Sequence, residues 1–151
     1  MVSALIGAAT TSIMAQVSAV PESLARHEGT LAAFVDTLLP DDGVTPSASM
    51  LGVDADLREF IVESETFTKM TDMVCDWLDT LGPVPFAELS PEDRLHIADY
   101  MAEADRDMLE GRFYHLVRLL AIEFYYARTE ALVGLNLAPA PQPSGYPPPW
   151  S

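Results

Sequence analysis

The chain has 151 residues, which is the size of one domain with short extensions. Its 23 acidic residues against 8 basic ones give a formal net charge of -15. This charge argues strongly against binding to nucleic acid or to an anionic membrane, because neutralising phosphates needs Lys and Arg. The acidity is typical of a solvated surface that keeps a protein soluble, and steering toward a basic partner is the alternative.

The first segment, residues 1–20, is apolar and carries no charge. An export signal begins with basic residues, whereas the first basic residue here is Arg26. The segment is also too short and too rich in Ser and Thr for a transmembrane helix. We interpret it as a retained amphipathic helix, with a degenerate or truncated export signal as the alternative. Its apolar positions are Leu5, Ile6, Ile13, Met14, Val17 and Val20.

Residues 21–137 carry helical periodicity and form the predicted helical domain. A helix is expected from Pro21, a good first-turn residue, to Leu39, where Pro40 ends it. An acidic turn follows, and Ser47 or Ser49 is predicted to cap a short third helix that ends near residue 63.

The clearest amphipathic helix is expected over residues 64–81, and Gly82 and Pro83 stop it. Ser90 and Pro91 are a strong start signal for a helix that continues to about residue 109. Gly111 is predicted to break that helix before the next one begins. No stretch alternates like a strand, so the sequence predicts an all-α fold: an irregular bundle of five to six helices with an extended Pro-rich C-terminal arm.

The helix that begins near residue 112 is apolar on two sides. We expect Phe113, Leu116 and Leu120 to face the core. The surplus apolar surface on the other side predicts an interface with a partner protein. The interface residues predicted from this helix are Tyr114, Arg118, Tyr125 and Tyr126.

Residues 138–151 form a Pro-rich tail, which has too many prolines for a helix or a central strand. We expect an extended arm that binds a partner, and folding back onto its own domain is the alternative. Its predicted contact residues are Gln142, Pro143, Tyr146 and Trp150.

No constellation of catalytic residues is recognisable. Asp93 and His96 are three residues apart, but a di-iron bundle needs a second such motif, so we expect His27, His96 and His115 to be surface residues. The single cysteine, Cys75, lies on an apolar helix face and is expected to be a small buried side chain. No Gly-rich phosphate loop occurs. We therefore assign no catalytic, cofactor-binding or metal-binding residue to this chain.

Two segments carry a family resemblance. The first is TLAAFVDTLLPDDGVTPSASMLGV at residues 30–53, and the second is FYHLVRLLAIEFYY at residues 113–126, followed by PQPSGYP. In this order they resemble the gluconate 2-dehydrogenase subunit 3 family. The resemblance implies an accessory subunit of a flavoprotein sugar or polyol dehydrogenase, whose large partner of the glucose–methanol–choline type holds the FAD and the catalytic residues.

The implied function is a non-catalytic small subunit that binds and stabilises the FAD-containing catalytic subunit of a sugar, polyol or glycoside oxidoreductase, with no cofactor of its own. Two alternatives stay open: a stand-alone helical-bundle enzyme that uses His96, His115 and nearby acids, and a general chaperone-like interaction protein. Family members commonly carry a twin-arginine export signal, which this sequence lacks. We therefore favour a cytoplasmic location, with the periplasm as the alternative.

Overall fold

The computed structural model describes residues 22–135, and this part of the chain is all-helical without a strand, as predicted. The predictions for residues 1–20 and for the tail at 138–151 lie outside the described residues. The α-helices are α1 (Glu22–Arg26), α2 (Glu28–Leu38), α3 (Val53–Val62), α4 (Glu65–Leu78), α5 (Pro91–Glu103) and α6 (Leu109–Tyr126). Short 3-10 helices cover Ser49–Leu51, Phe86–Glu88 and Glu130–Leu135.

Phe34 of α2 lies at the centre of the core and is fully buried. Its ring packs against Phe113 of α6 at a centroid distance of 5.4 Å and against Phe86 at 6.1 Å. Tyr114 adds an edge-on contact at 6.4 Å. One aromatic side chain thus joins α2, α6 and the connection between α4 and α5, and aromatic burial of this kind contributes much of the stability of a small core.

The predicted helix over residues 21–39 is divided at His27, which separates α1 from α2. The amide of His27 donates to the carbonyl of Leu24 at 3.3 Å, a tight turn of the 3-10 type. This turn directs the imidazole inward, and His27 is only 3% exposed. The expectation that all three histidines lie at the surface is therefore wrong for His27.

The turn after α2 is held by a side chain of α2 itself. The carboxylate of Asp36 accepts hydrogen bonds from the amide of Ser49 at 2.7 Å and from its hydroxyl at 2.6 Å. The predicted capping role of Ser47 or Ser49 is wrong, because neither 49–51 nor α3 has a side-chain cap. Gly52 instead links these two elements with a left-handed backbone (φ 76°), which glycine adopts without steric cost.

The starts of α4 and α5 are confirmed. The hydroxyl of Ser64 accepts from the amide of Phe67 at 3.3 Å, and that of Ser90 accepts from the amide of Asp93 at 3.1 Å. These bonds satisfy backbone donors that no intrahelical carbonyl can reach.

The break between α5 and α6 lies at residues 104–108, so its predicted position at Gly111 is wrong. Gly111 is buried in the first turn of α6. A Cβ atom there would lie 2.3 Å from the carbonyl oxygen of Asp105 and 2.8 Å from that of Ala104. Gly111 therefore permits the preceding turn to pass directly over α6.

We expect Gly111→Ala to lower the free energy of unfolding by about 1–3 kcal/mol, because the new methyl group forces the backbone of the 104–108 turn to move. The matched control is Gly29→Ala in α2, where the nearest atom to an added Cβ is the Cβ of Ala87 at 4.0 Å. That variant should be neutral or more stable by up to about 1 kcal/mol. Urea unfolding followed by circular dichroism distinguishes them, and equal effects would contradict the prediction.

Candidate partner-binding surface

The core side of α6 consists of Phe113, Val117, Ala121 and Tyr125, which are spaced four residues apart and buried. Leu120 is partly buried against this core, whereas Leu116 is 40% exposed. The prediction that Leu116 faces the core is therefore wrong. The helix is rotated so that Leu116 and Leu119, which lie outside this stripe, are turned toward solvent.

The predicted interface residues of α6 divide between core and surface. Tyr125 is 4% exposed, and its hydroxyl donates to the carbonyl of Pro46 at 2.7 Å, so its assignment to the surface is wrong. Tyr114 is half-buried against Phe34. Arg118 and Tyr126 are exposed. The other four predicted contacts, Gln142, Pro143, Tyr146 and Trp150, lie outside the described residues.

A groove with a volume of about 690 Å³ runs between α4 and α6. Apolar side chains form most of its wall, and several of them are strongly exposed. The exposed apolar residues on it are Phe60, Met73, Leu109, Leu116 and Leu119.

Two further depressions continue this groove. One, of about 570 Å³, shares Arg112, Leu116 and Leu119 with it and extends to Ile122. The other, of about 340 Å³, shares Met73 and Leu109 and reaches the Trp77–Tyr100 pair, whose ring centroids are 6.5 Å apart. We call the three together the α4–α6 surface. Contiguous exposed apolar patches of this kind are typical of protein-interaction sites.

Basic side chains gather on this surface. Arg106, Arg112, Arg118 and His115 line the depression of about 570 Å³, and Lys69 lines the groove of about 690 Å³. Half of the 8 basic residues, Lys and Arg together, therefore lie here.

Three of these arginines have no carboxylate partner in the part of the chain that the structure describes. The ion pairs between residues 22 and 135 instead involve Arg26, His27, Arg58, Lys69 and Arg128. None of them includes Arg106, Arg112 or Arg118, although acidic residues are abundant.

Sequence reasoning missed Leu119 and Met73, which are 63% and 58% exposed. Leu119 lies outside the stripe formed by Phe113 and Val117, so its position was a signal of surplus apolar surface. Met73 follows Asp72 on α4 and is similarly off the core stripe of Met70 and Val74. Such residues are informative because they lie together on one surface, since a contiguous exposed apolar patch indicates an external contact.

The histidines are dispersed over the fold. His96 is exposed on α5, and His115 is half-buried on α6 with its ring 5.3 Å from that of Tyr114. Asp93 accepts from the hydroxyl of Ser90 and so belongs to the start of α5. Across residues 22–135, no three His, Cys, Asp or Glu side chains converge so that they could hold a metal ion.

His27 lies between α1 and α4 and contacts a side chain of each helix. Its Nε2 accepts from Nε of Arg26 at 3.1 Å and lies 3.4 Å from a carboxylate oxygen of Asp76. Asp79 serves the fold in the same region, since it accepts from the hydroxyl of Thr30 at 2.9 Å and from the amide of Phe86 at 3.0 Å. The polar groups beside His27 are thus used for packing helices together.

Cys75 is buried, as predicted. Burial raises the pKa of its thiol far above the ordinary value, and the nearby carboxylate of Asp79 adds to the shift. The thiolate is the nucleophilic form, so this side chain is chemically inert in the folded protein.

None of the helices between Glu22 and Leu135 is both long and apolar enough to cross a bilayer.

Residues 22–135 form a small helical domain with exposed apolar surface beside arginines that have no ion pair within this range. Such a surface is typical of a protein that associates with another chain. The chain matches the family model described as Gluconate 2-dehydrogenase subunit 3 over residues 25–135, well over half of its length, and it belongs to this family. The resemblance of residues 30–53 and 113–126 is thereby confirmed. No curated protein and no solved structure matches the chain. The family's description places the chain among the subunits of multi-subunit dehydrogenases.

We expect the thiol of Cys75 to react with an aromatic disulfide reagent only after unfolding, with one thiol released per chain in denaturant. The folded protein keeps the proton that the unfolded chain loses above about pH 8.5. Its free energy of unfolding should therefore fall as pH rises above that value, by up to about 1.4 kcal/mol per pH unit from this group. The Cys75→Ala variant should lack this contribution. The prediction would be contradicted if the free energy of unfolding depended on pH in the same way for the two proteins.

Tyr125→Phe removes a buried hydroxyl and leaves the carbonyl of Pro46 without its donor. We expect the free energy of unfolding to fall by about 0.5–1.5 kcal/mol, without any change in affinity for a partner protein. Tyr126→Phe is the control on the exposed neighbouring ring and should change stability little. Denaturant unfolding and a binding titration check both statements, and weaker partner binding by Tyr125→Phe alone would contradict the core assignment.

Proposed function

We propose that this chain is a non-catalytic small subunit that binds and stabilises the FAD-containing catalytic subunit of a sugar, polyol or glycoside oxidoreductase. The observation that carries the proposal is membership of the gluconate 2-dehydrogenase subunit 3 family over residues 25–135. A subunit needs a surface to bind its partner, and the exposed α4–α6 surface supplies a candidate.

The location of the flavin in the partner is supported by what this chain lacks in its described part. Dinucleotide sites are commonly built where a strand leads into a helix through a Gly-rich turn. Residues 22–135 contain neither a strand nor such a turn, so they do not fit a dinucleotide site of that type.

The stabilising role has a simple physical basis. A subunit that binds the folded catalytic chain, and not its unfolded form, raises the stability of that chain by mass action. When the free concentration of this subunit is 100 times Kd, the free energy of unfolding of the catalytic chain rises by about 2.7 kcal/mol. Covering apolar surface of the partner also keeps it soluble, because exposed apolar patches promote aggregation.

The first experiment is affinity purification of this chain from its native cells, with mass spectrometry and a visible absorption spectrum of the eluate. We expect a yellow complex with one flavoprotein at a fixed ratio. Several clients at varying ratios would favour a chaperone-like protein. A colourless chain that elutes alone would refute the proposal and direct attention to His96→Ala and His115→Ala variants in activity assays.

The stabilising role is tested by producing the catalytic subunit with and without this chain. We expect the subunit produced alone to retain less flavin per polypeptide and to melt at a lower temperature, because it lacks the mass-action contribution of its partner. Flavin absorbance relative to protein absorbance and a thermal melt measure both quantities. Equal flavin content and equal melting temperature would exclude a stabilising role.

A further inference from the structure

We propose that the α4–α6 surface receives an apolar protrusion of the partner subunit whose rim carries carboxylates, and that Arg106, Arg112 and Arg118 bind those carboxylates. This proposal rests on the proposed function, because it describes how the catalytic subunit is recognised.

The apolar part of the surface requires an apolar occupant. Leu119 is 63% exposed and Met73 is 58% exposed, and they lie on opposite helices of the same groove. Phe60 and Leu116 extend the groove and are 48% and 40% exposed. An apolar protrusion of the partner that fills the groove would remove these four side chains from water, which is the arrangement found at the centres of protein interfaces.

The arginines specify the charge of the occupant. The chain has 23 carboxylates, yet none of those in the described range pairs with Arg106, Arg112 or Arg118. A guanidinium group binds a carboxylate with two parallel hydrogen bonds, which makes arginine the preferred cation at interfaces. Three arginines next to an apolar groove therefore favour a partner with acidic residues around an apolar centre.

The terminal segments of the same chain are poorer occupants than an acidic partner. All of the Asp and Glu residues lie between Glu22 and Glu130. Residues 1–21 and 136–151 therefore contain no side-chain carboxylate that could pair with the arginines. A second copy of this chain would bring two molecules of net charge -15 together, and the repulsion opposes that association.

The positive charge of Arg106, Arg112 and Arg118 also favours one binding position and one orientation of an acidic partner. Among residues 22–135, the carboxylates of the chain leave Arg94, Arg106, Arg112 and Arg118 without an ion pair, and three of these four arginines lie on the α4–α6 surface. This surface therefore offers an acidic partner a cluster of favourable charge contacts. Complementary charges of this kind fix orientation and raise the association rate, and salt weakens both effects.

The test measures the Kd between the full-length chain and the purified flavoprotein that copurifies with it, at low and high salt. We expect Arg106→Gln, Arg112→Gln and Arg118→Gln together to weaken binding by about 10-fold to 100-fold and to reduce the salt dependence. The charge-matched control is Ala25→Glu, Ala55→Glu and Ala87→Glu, which also lowers net charge by three but lies on other elements. This control should bind like the original protein apart from a small change in association rate.

The apolar contact is tested by Leu119→Ala, which we expect to weaken binding by about 10-fold. Val44→Ala is the control, since Val44 is also 63% exposed but lies outside the α4–α6 surface. Circular dichroism and thermal melts verify that all variants are folded, as expected for changes at exposed positions.

The outcomes separate this proposal from the proposed function. If the original chain binds a flavoprotein but the arginine triple variant and Leu119→Ala bind it equally well, the surface assignment is wrong and the subunit role stands. If no flavoprotein binds the original chain, the subunit role and the surface assignment are both overturned. If light scattering shows a dimer that Leu119→Ala dissociates, the occupant is a second copy and the acidic-partner proposal is overturned.

Discussion

The contact between Phe34 and Phe113 determines what the rest of α6 can do. Because Phe113 is fixed against Phe34 at 5.4 Å, the rotation of α6 about its axis is fixed as well. Successive residues of an α-helix turn by about 100°, so Leu119 is about 240° around the axis from Phe113 and faces away from the core. Arg112 and Tyr126 lie near the same direction. One buried aromatic pair thus creates both the core and the outward apolar surface beside α4.

The acidic turn after α2 has a structural role that its charge does not suggest. Asp36 binds both the amide and the hydroxyl of Ser49, and Asp42 accepts from the amides of Val44 and Thr45. The two bonds of Asp36 satisfy partly buried polar groups that would otherwise be costly, whereas those of Asp42 hold an exposed part of the turn. Tyr125 completes the arrangement from α6 through the carbonyl of Pro46. Within the segment at residues 30–53, the turn after α2 is thus tied to α6.

Charge is distributed unevenly over a strongly acidic protein. Several carboxylates stabilise helix contacts, such as Asp79 beside Thr30 and Asp76 beside Arg26. The arginines of the α4–α6 surface take no part in these contacts within the described residues. Net charge keeps the protein soluble, whereas local charge provides selectivity toward a partner. A negative net charge and a local positive cluster are compatible because salt shortens the distance over which each charge acts.

The sequence by itself determined the all-α class and the starts of α4 and α5, because these depend on residues close together along the chain. Ser64 and Ser90 bond to amides three residues away, so no distant contact is needed. The apolar periodicity of α4 also indicated the burial of Cys75, although other helices provide that burial. The tertiary structure decided which side of α6 is buried, and it therefore corrected the assignments of Leu116 and Tyr125. It also placed the helix break at residues 104–108, since only the folded chain brings the carbonyl of Asp105 over Gly111. The inward direction of His27 and the grouping of three arginines beside Leu119 likewise depend on contacts between distant segments, which periodicity along one helix does not specify.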